Sequence, residues 1–246
     1  MLSVDINCDM GEGVGNDEEI IPFISSASIA CGYHAGNENT MRQTIDCCIK
    51  YNVAIGAHPS FPDKENFGRS EMNLPADKIY ELVSAQIKIL SGIAESKGAT
   101  LHHVKPHGAL YNMAAQYQSI AAAIAKAVKD IDSALILYGL ANSYSIDEAK
   151  KIGLQTANEV FADRTYQDDG TLTSRKLPNA LVEDPDKAIK QVLQMIKNKT
   201  VNSVSGKLIS MNAETVCIHG DGKHAVEFAK KINHQLKEEG IDIKTV

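Results

Sequence analysis

"DINCDMGEG", residues 5–13, decides how this chain is read. Asp5, Asn7 and Asp9 fall at every second position, with Ile6, Cys8 and Met10 after each of them. Successive side chains of a strand point to opposite faces, so the polar groups share one face and the apolar ones the other. Gly11 and Gly13 then supply a turn. A buried carboxylate without partners is costly. A first strand with acids and an amide along one face therefore needs a polar site to face.

Working outward, further strand-like runs occur at 27–31, 53–58, 100–107, 134–139, 155–164 and 214–221, after a first run at 2–7. Segments 39–52, 76–98, 119–131, 143–153, 184–199 and 223–240 carry apolar residues at helical spacing. Strands alternating with helices predict a parallel sheet. No Pro/Gly/Ser-rich linker interrupts the pattern, so residues 1–246 are expected to form a single domain. Connections 59–75 and 164–183 are long for a compact domain and are expected to be lids or binding loops.

The chemistry collects after the strand-like runs. The first ends in Asp5, Asn7, Asp9 and then Glu12; the second leads to His34 and the third to His58. The fourth carries His103, Lys105 and His107 at every second position. The sixth ends in Glu159, Asp163 and Arg164, and the last in His219 and Asp221. In a barrel of parallel strands the C-terminal ends meet at one mouth, where active sites are built. The polar face of the first strand would then look into a shared site. Imidazoles and carboxylates also suit a divalent metal. For Asp5, which lies deeper, the alternatives are an ion pair with Lys105 or a hydrogen-bonded role between strands.

Composition narrows the class. The net charge of −6 offers no basic surplus for phosphates, so no nucleic-acid partner is expected. No apolar run approaches the ~20 residues of a membrane helix, and no signal peptide is visible. Five cysteines without a CxxC pair read as reduced thiols, and a cytoplasmic location is expected. Nucleotide motifs fail: "GEGVGN" (11–16) lacks the third glycine of GxGxxG, and "SVSGKL" (203–208) is not a P-loop. A weaker reading of the glycine turn is a nest of amides for an anion.

"DINCDMGEG", "SIACGYHAG", "VAIGAHPSFPDKENFGRS", "HHVKPHGALYN", "EVFADRTYQDDGTL" and "TVCIHGDG" together resemble the LamB/YcsF family, from about residue 3 to the last helix. Asn37 departs from the pattern, where Asp would be expected. The resemblance implies an α/β fold, a distorted seven-stranded (β/α) barrel similar to glycoside hydrolases and deacetylases. It implies ATP-dependent hydrolysis of 5-oxo-L-proline to L-glutamate, giving ADP and phosphate, together with B and C subunits as partners.

That reaction needs a base, a proton donor for the ring nitrogen and donors for developing negative charge. Asp9, His34 and His58 are candidates for base or metal ligand. Lys105 and His107 suit the oxyanion or phosphate charge, and His219, oriented by Asp221, the acid. Arg69 and Arg164 suit the substrate carboxylate as forks. Asn7, Glu12, Glu159 and Asp163 complete the expected substrate-binding set. The competing readings are a stand-alone metal-dependent deacetylase or hydrolase, a hydrolase of another lactam, and a non-catalytic scaffold.

Overall fold

A computed structural model describes residues 2–220 and 225–246. In chain order the elements are β1 (Ser3–Met10), α1 (Asp17–Ile20), β2 (Ser26–Ala30), α2 (Glu38–Tyr51), β3 (Ala54–His58), α3 (Ala76–Ser96), β4 (His103–Val104), α4 (Gly108–Gln116), α5 (Gln118–Ile131), β5 (Ile136–Leu140) and α6 (Tyr144–Lys151). They continue with β6 (Gln155–Phe161), α7 (Pro185–Asn198), β7 (Thr200–Asn202), β8 (Leu208–Ser210), β9 (Thr215–Ile218), α8 (Ala225–Glu238) and β10 (Asp242–Ile243). Strands β1, β2, β3, β4, β5, β6 and β9 pair in parallel in that order, and β9 pairs back onto β1. The expected seven-stranded α/β barrel is closed by these last two pairings.

The opening alternation explains how the barrel is filled. Ile6, Cys8 and Met10 belong to the main apolar core with residues of the surrounding helices, such as Met41 and Ile45 of α2 and Ile232 of α8. Burying each large aliphatic side chain of this layer stabilises the fold by about 1.5–3 kcal/mol. The other face of β1 points into the barrel. There Asp5, Asn7, Ser26, Ser28, His103, Lys105, Glu159 and Thr215 are all buried. Ile136, Tyr138 and Ala157 form a small apolar cluster of their own, and the Tyr138 ring stacks on His103 at 4.2 Å.

The fourth strand departs from expectation. The run 100–107 forms ladder structure only at His103–Val104. The amide of His102 bonds Ile55 O, whereas those of Lys105 and His107 bond Ala57 O and Pro59 O, so the pairing shifts by one residue along β3. Pro106 has no N–H to continue the ladder. Helices α1 and α4, the β7–β8 hairpin and β10 also lie outside the sequence expectation. "SVSGKL" is the turn of that hairpin, with Gly206 at φ +87°.

Both long connections are built structures. In 59–75, the Asp63 carboxylate accepts hydrogen bonds from the Asn66 side chain and the Ser70 amide. Gly68, at φ +67°, lies so close to the site that an added Cβ would stand 2.8 Å from His34 Cβ and 2.9 Å from His107 Cδ2. In 164–183, bridges Arg164–Leu181 and Tyr166–Leu172 fold the segment back on itself. None of the described helices is long and apolar enough to cross a membrane.

Candidate active site

The strand ends and the two long connections surround a cavity of about 790 Å³. Asp9, Glu12, His58, Arg69, Lys105, His107, Arg164 and His219 line it, as do Tyr111, Phe161 and Arg175. Asn7 and Glu159 are fully buried and, like His34 and Asp163, are not among its lining residues. These four stand behind the wall. Asp221 falls outside the described residues.

Lys105 is the floor of the cavity. Its Nζ lies 2.6 Å from Asp9 Oδ1 and 2.8 Å from Glu159 Oε1, and donates to Asn7 Oδ1 at 2.8 Å and Cys217 Sγ at 3.1 Å. Burial alone would lower the ammonium pKa, but Asp9, Cys217 and Glu159 together raise it well above the ordinary value. Burial likewise raises the Asp9 carboxyl, yet the charges of His58 and Lys105 prevail and hold it well below the usual range. Two carboxylates around one ammonium make this centre charged and buried, a setting in which electrostatic interactions are strong.

Beside it stand three imidazoles. His34 and His107 stack with centroids 3.8 Å apart, and His58 meets each of them edge-on. Each ring is tied to the framework through one nitrogen. His58 Nδ1 is 2.7 Å from the Lys105 carbonyl oxygen, and His107 Nε2 is 2.9 Å from that of Phe67. A carbonyl only accepts, so both nitrogens carry protons. Ser60 gives its hydroxyl hydrogen to Phe61 O, which makes His34 Nδ1, 2.8 Å from Ser60 Oγ, a donor as well.

The remaining nitrogens converge. His58 Nε2 faces His107 Nδ1 at 2.9 Å, and His34 Nε2 faces Glu12 Oε1 at 3.1 Å. Ligand atoms of Glu12, His34, His58 and His107 all lie within 4.8 Å of one another. Lone pairs at such distances repel unless a proton or cation stands between them. Burial and neighbouring His58 lower the His34 pKa to about 3, and burial drives that of His107 well below its usual value. Neutral imidazoles with hydrogen-bonded second nitrogens, plus a carboxylate, are the donor set of a divalent metal site. The residues present fit such an ion. Asp9, expected in that set, instead sits on Lys105, with its other oxygen 3.4 Å from His58 Nε2.

Across the cavity His219 Nδ1 lies 2.9 and 2.8 Å from the two Asp163 oxygens. Asp163 is its orienting carboxylate among the described residues, and Asp221, expected in that part, lies outside them. Burial raises the Asp163 carboxyl, and His219 outweighs it to bring it below the ordinary value. Arg164 differs from its expected part as a free fork. Its Nε donates to Ala180 O and its Nη2 to Thr173 O, so two arms of the guanidinium clasp the 164–183 connection. Burial and neighbouring Arg175 lower its pKa to about 10. Arg69 stays at the cavity wall, its guanidinium 4.9 Å from the Phe67 ring centre.

Thr215 and Ser60 escaped the sequence reading as site residues. Thr215, Cys217 and His219 alternate like the residues of β1, a signal that was available. Tyr111 and Arg175 carried none. The departure at position 37 has a local reason: the Asn37 side chain accepts from Thr40 N at 3.1 Å and caps α2, a task Asn performs as well as Asp. The glycine-turn amide of Gly11 is taken by the chain's own Asp17 carboxylate at 2.8 Å.

Against this geometry, the comparisons agree with one another. A 5-oxoprolinase A subunit from Bacillus cereus (strain AH187) is 53% identical, with 99% of this chain and 98% of that protein covered. One from Tolumonas auensis is 51% identical over the whole of both chains. The crystal structure of a lactam utilization protein from Thermus thermophilus superposes with a TM-score of 0.92 at 38% identity, covering both chains fully. A family 4 carbohydrate esterase from Streptomyces lividans shares the fold, with a TM-score of 0.52 at 12% identity over 98% of this chain and 91% of that one. The LamB/YcsF family model matches residues 4–246, and with the barrel and its polar mouth in place the chain belongs to the LamB/YcsF family.

Proposed function

We propose that the chain is the A subunit of an ATP-dependent 5-oxoprolinase and hydrolyses the lactam of 5-oxo-L-proline. The observation that carries this reading is end-to-end identity of 51–53% to proteins named as the A subunit of 5-oxoprolinase. The convergence of Asp9, Lys105, His58, His107 and His219 on one cavity supports it. The partners are the B and C subunits, and the free cysteines favour a reducing, cytoplasmic setting.

An unstrained amide is a poor electrophile, so coupling to ATP has a chemical purpose. Transfer of the γ-phosphoryl group to the lactam oxygen within the complex makes that oxygen a leaving group. Water then adds to the carbon; its hydrogens pass to a base and to the medium. The C–N bond breaks as the ring nitrogen takes a proton, leaving a γ-glutamyl phosphate, and a second water hydrolyses that acyl phosphate, so 5-oxo-L-proline, ATP and two waters give glutamate, ADP, phosphate and a proton. Lys105 stabilises the developing oxyanion at the cavity floor. The His58–His107 pair takes or holds the proton of water, with Asp9 beside it. His219, held at Nδ1 by Asp163, delivers the proton to nitrogen through Nε2. Arg69, at the cavity wall, receives the substrate carboxylate.

Glu12, His34, His58 and His107 would hold a divalent ion, which would supply Lewis-acid activation of oxygen. This donor set favours a second reading, metal-dependent amide hydrolysis without nucleotide. Glutamate release from 5-oxo-L-proline, measured with and without ATP and with each of the three subunits omitted in turn, separates the two. ATP-dependent release that requires this chain is the expected result. ATP-independent release by the chain alone would replace it with the second reading.

A further inference from the structure

Asp5 takes no part in that chemistry. It is 1% exposed and does not line the cavity. Its Oδ1 accepts hydrogen bonds from Ser25 Oγ at 2.6 Å and Ser26 Oγ at 2.7 Å. Its Oδ2 accepts one from Thr215 Oγ1 at 2.6 Å. The single hydroxyl hydrogen of Thr215 is thereby committed, and toward any other neighbour its oxygen only accepts. That neighbour is Asn7 Nδ2, 2.7 Å away. The second amide hydrogen of Asn7 goes to Glu159 Oε1 at 2.9 Å, which leaves Asn7 Oδ1 to receive Lys105 Nζ at 2.8 Å.

A carboxamide has a donor end and an acceptor end, and nothing in its shape decides which way it lies. The chain of bonds decides it here. We propose that Asp5 is a positioning residue: through Thr215 it fixes the orientation of the Asn7 amide, and so the seat of the Lys105 ammonium at the cavity floor. Reversing the amide would set its NH2 against the ammonium and its oxygen against Glu159. Glu159 and Lys105 favour the same orientation from their side, and what Asp5 adds through Thr215 is the contact that holds the amide in it.

The rate assay rests on the lactam-hydrolase reading; a second measurement does not. Asp5→Asn replaces a group that only accepts with one that can lie either way, and so leaves the direction of the chain unset. Thr215→Val cuts it at nearly constant shape, and Thr215→Ser restores the hydroxyl. In the assembled enzyme, Asp5→Asn and Thr215→Val are expected to lower kcat by about 10- to 100-fold, the worth of one hydrogen bond to a charged group, with KM within about twofold. Thr215→Ser keeps wild-type kcat. Wild-type kcat in folded Thr215→Val, or a Thr215→Ser variant as slow as Thr215→Val, would overturn the proposal. Independently of activity, the Asn7 side-chain amide protons, followed by NMR hydrogen exchange on the isolated chain, should be protected in wild type and Thr215→Ser and lose protection in Thr215→Val. Equal protection in all three would overturn it too. An inactive wild-type enzyme with the expected exchange pattern would count against the lactam reading alone.

Discussion

Lys105→Met removes a buried cation while keeping most of the side-chain volume. In the wild type the ammonium stands within 2.8 Å of both Asp9 and Glu159, and all three side chains are at most 7% exposed. Without it, two buried carboxylates stand close together, and the least costly response is for one to keep its proton. With an ordinary carboxylate value of about 4 and about 1.4 kcal/mol per pH unit, that costs ~4 kcal/mol at pH 7 and ~2 kcal/mol at pH 5.5. His58, 3.4 Å from Asp9, offers partial compensation, so these figures are ceilings. The sign follows from linkage. A carboxyl raised in the folded variant costs nothing below its unfolded pKa and progressively more above it, so the gap to wild type widens as pH rises from about 4. In the wild type, Asp9 is held low, so its contribution is present above about pH 4 and lost on acidification below that. Urea unfolding at pH 5.5 and pH 7, with matched m-values, measures both gaps. A loss at pH 7 below about 1 kcal/mol, or one that does not change with pH, would refute this account of the site.

Other expectations follow from single contacts. Ser60→Ala leaves His34 Nδ1 without its anchor, and the zinc affinity of the chain, measured by competition with a chelating dye, should fall by about 10- to 100-fold. Gly56→Ala would put a Cβ 2.1 Å from His103 Nε2. The ring must then leave its stack on Tyr138, at a cost of about 1–3 kcal/mol, visible as a Tm lowered by several degrees. Arg164→Lys gives up the two-armed grip on Thr173 O and Ala180 O. Limited proteolysis within 164–183 should accelerate while the barrel core stays resistant.

How far the sequence could be read depended on whether the answer was periodic. The every-second-position pattern of Asp5, Asn7 and Asp9 and the helical spacing of segments such as 76–98 are local facts, and they led to a parallel sheet with its polar groups at one end; its closure into a seven-stranded barrel came from the resemblance to the LamB/YcsF family. β4 resisted because its shifted pairing is set by β3 and by Pro106, not by its own apolar content. The site was legible as a set of residues but not as a circuit. Nothing in the spacing of Glu12 and His107 says that they join His34 and His58, since that contact depends on how Gly68 lets the 59–75 connection close down. Arg164 looked like a substrate fork because its sequence position is right; its capture by two carbonyls depends on the path of residues 165–183. Asp5 was separated from Lys105 only when the hydroxyls of Ser25, Ser26 and Thr215 were placed around it.

The polar filling of the barrel also bears on how the chain finds its fold. A strand offset by one residue exchanges its two faces. For β1 that would press Asp5, Asn7 and Asp9 against α2 and α8, and leave Ile6 and Cys8 facing a pocket of serines and a lysine. Each such misalignment strands several charges at once, so the polar interior penalises mispaired strands. An oily interior would pack with less electrostatic cost but would tolerate more than one alignment. A variant with Asp5, Asn7, Lys105 and Glu159 all made apolar is thus expected to gain in compactness and lose in uniqueness, with broadened methyl resonances and a less cooperative melt.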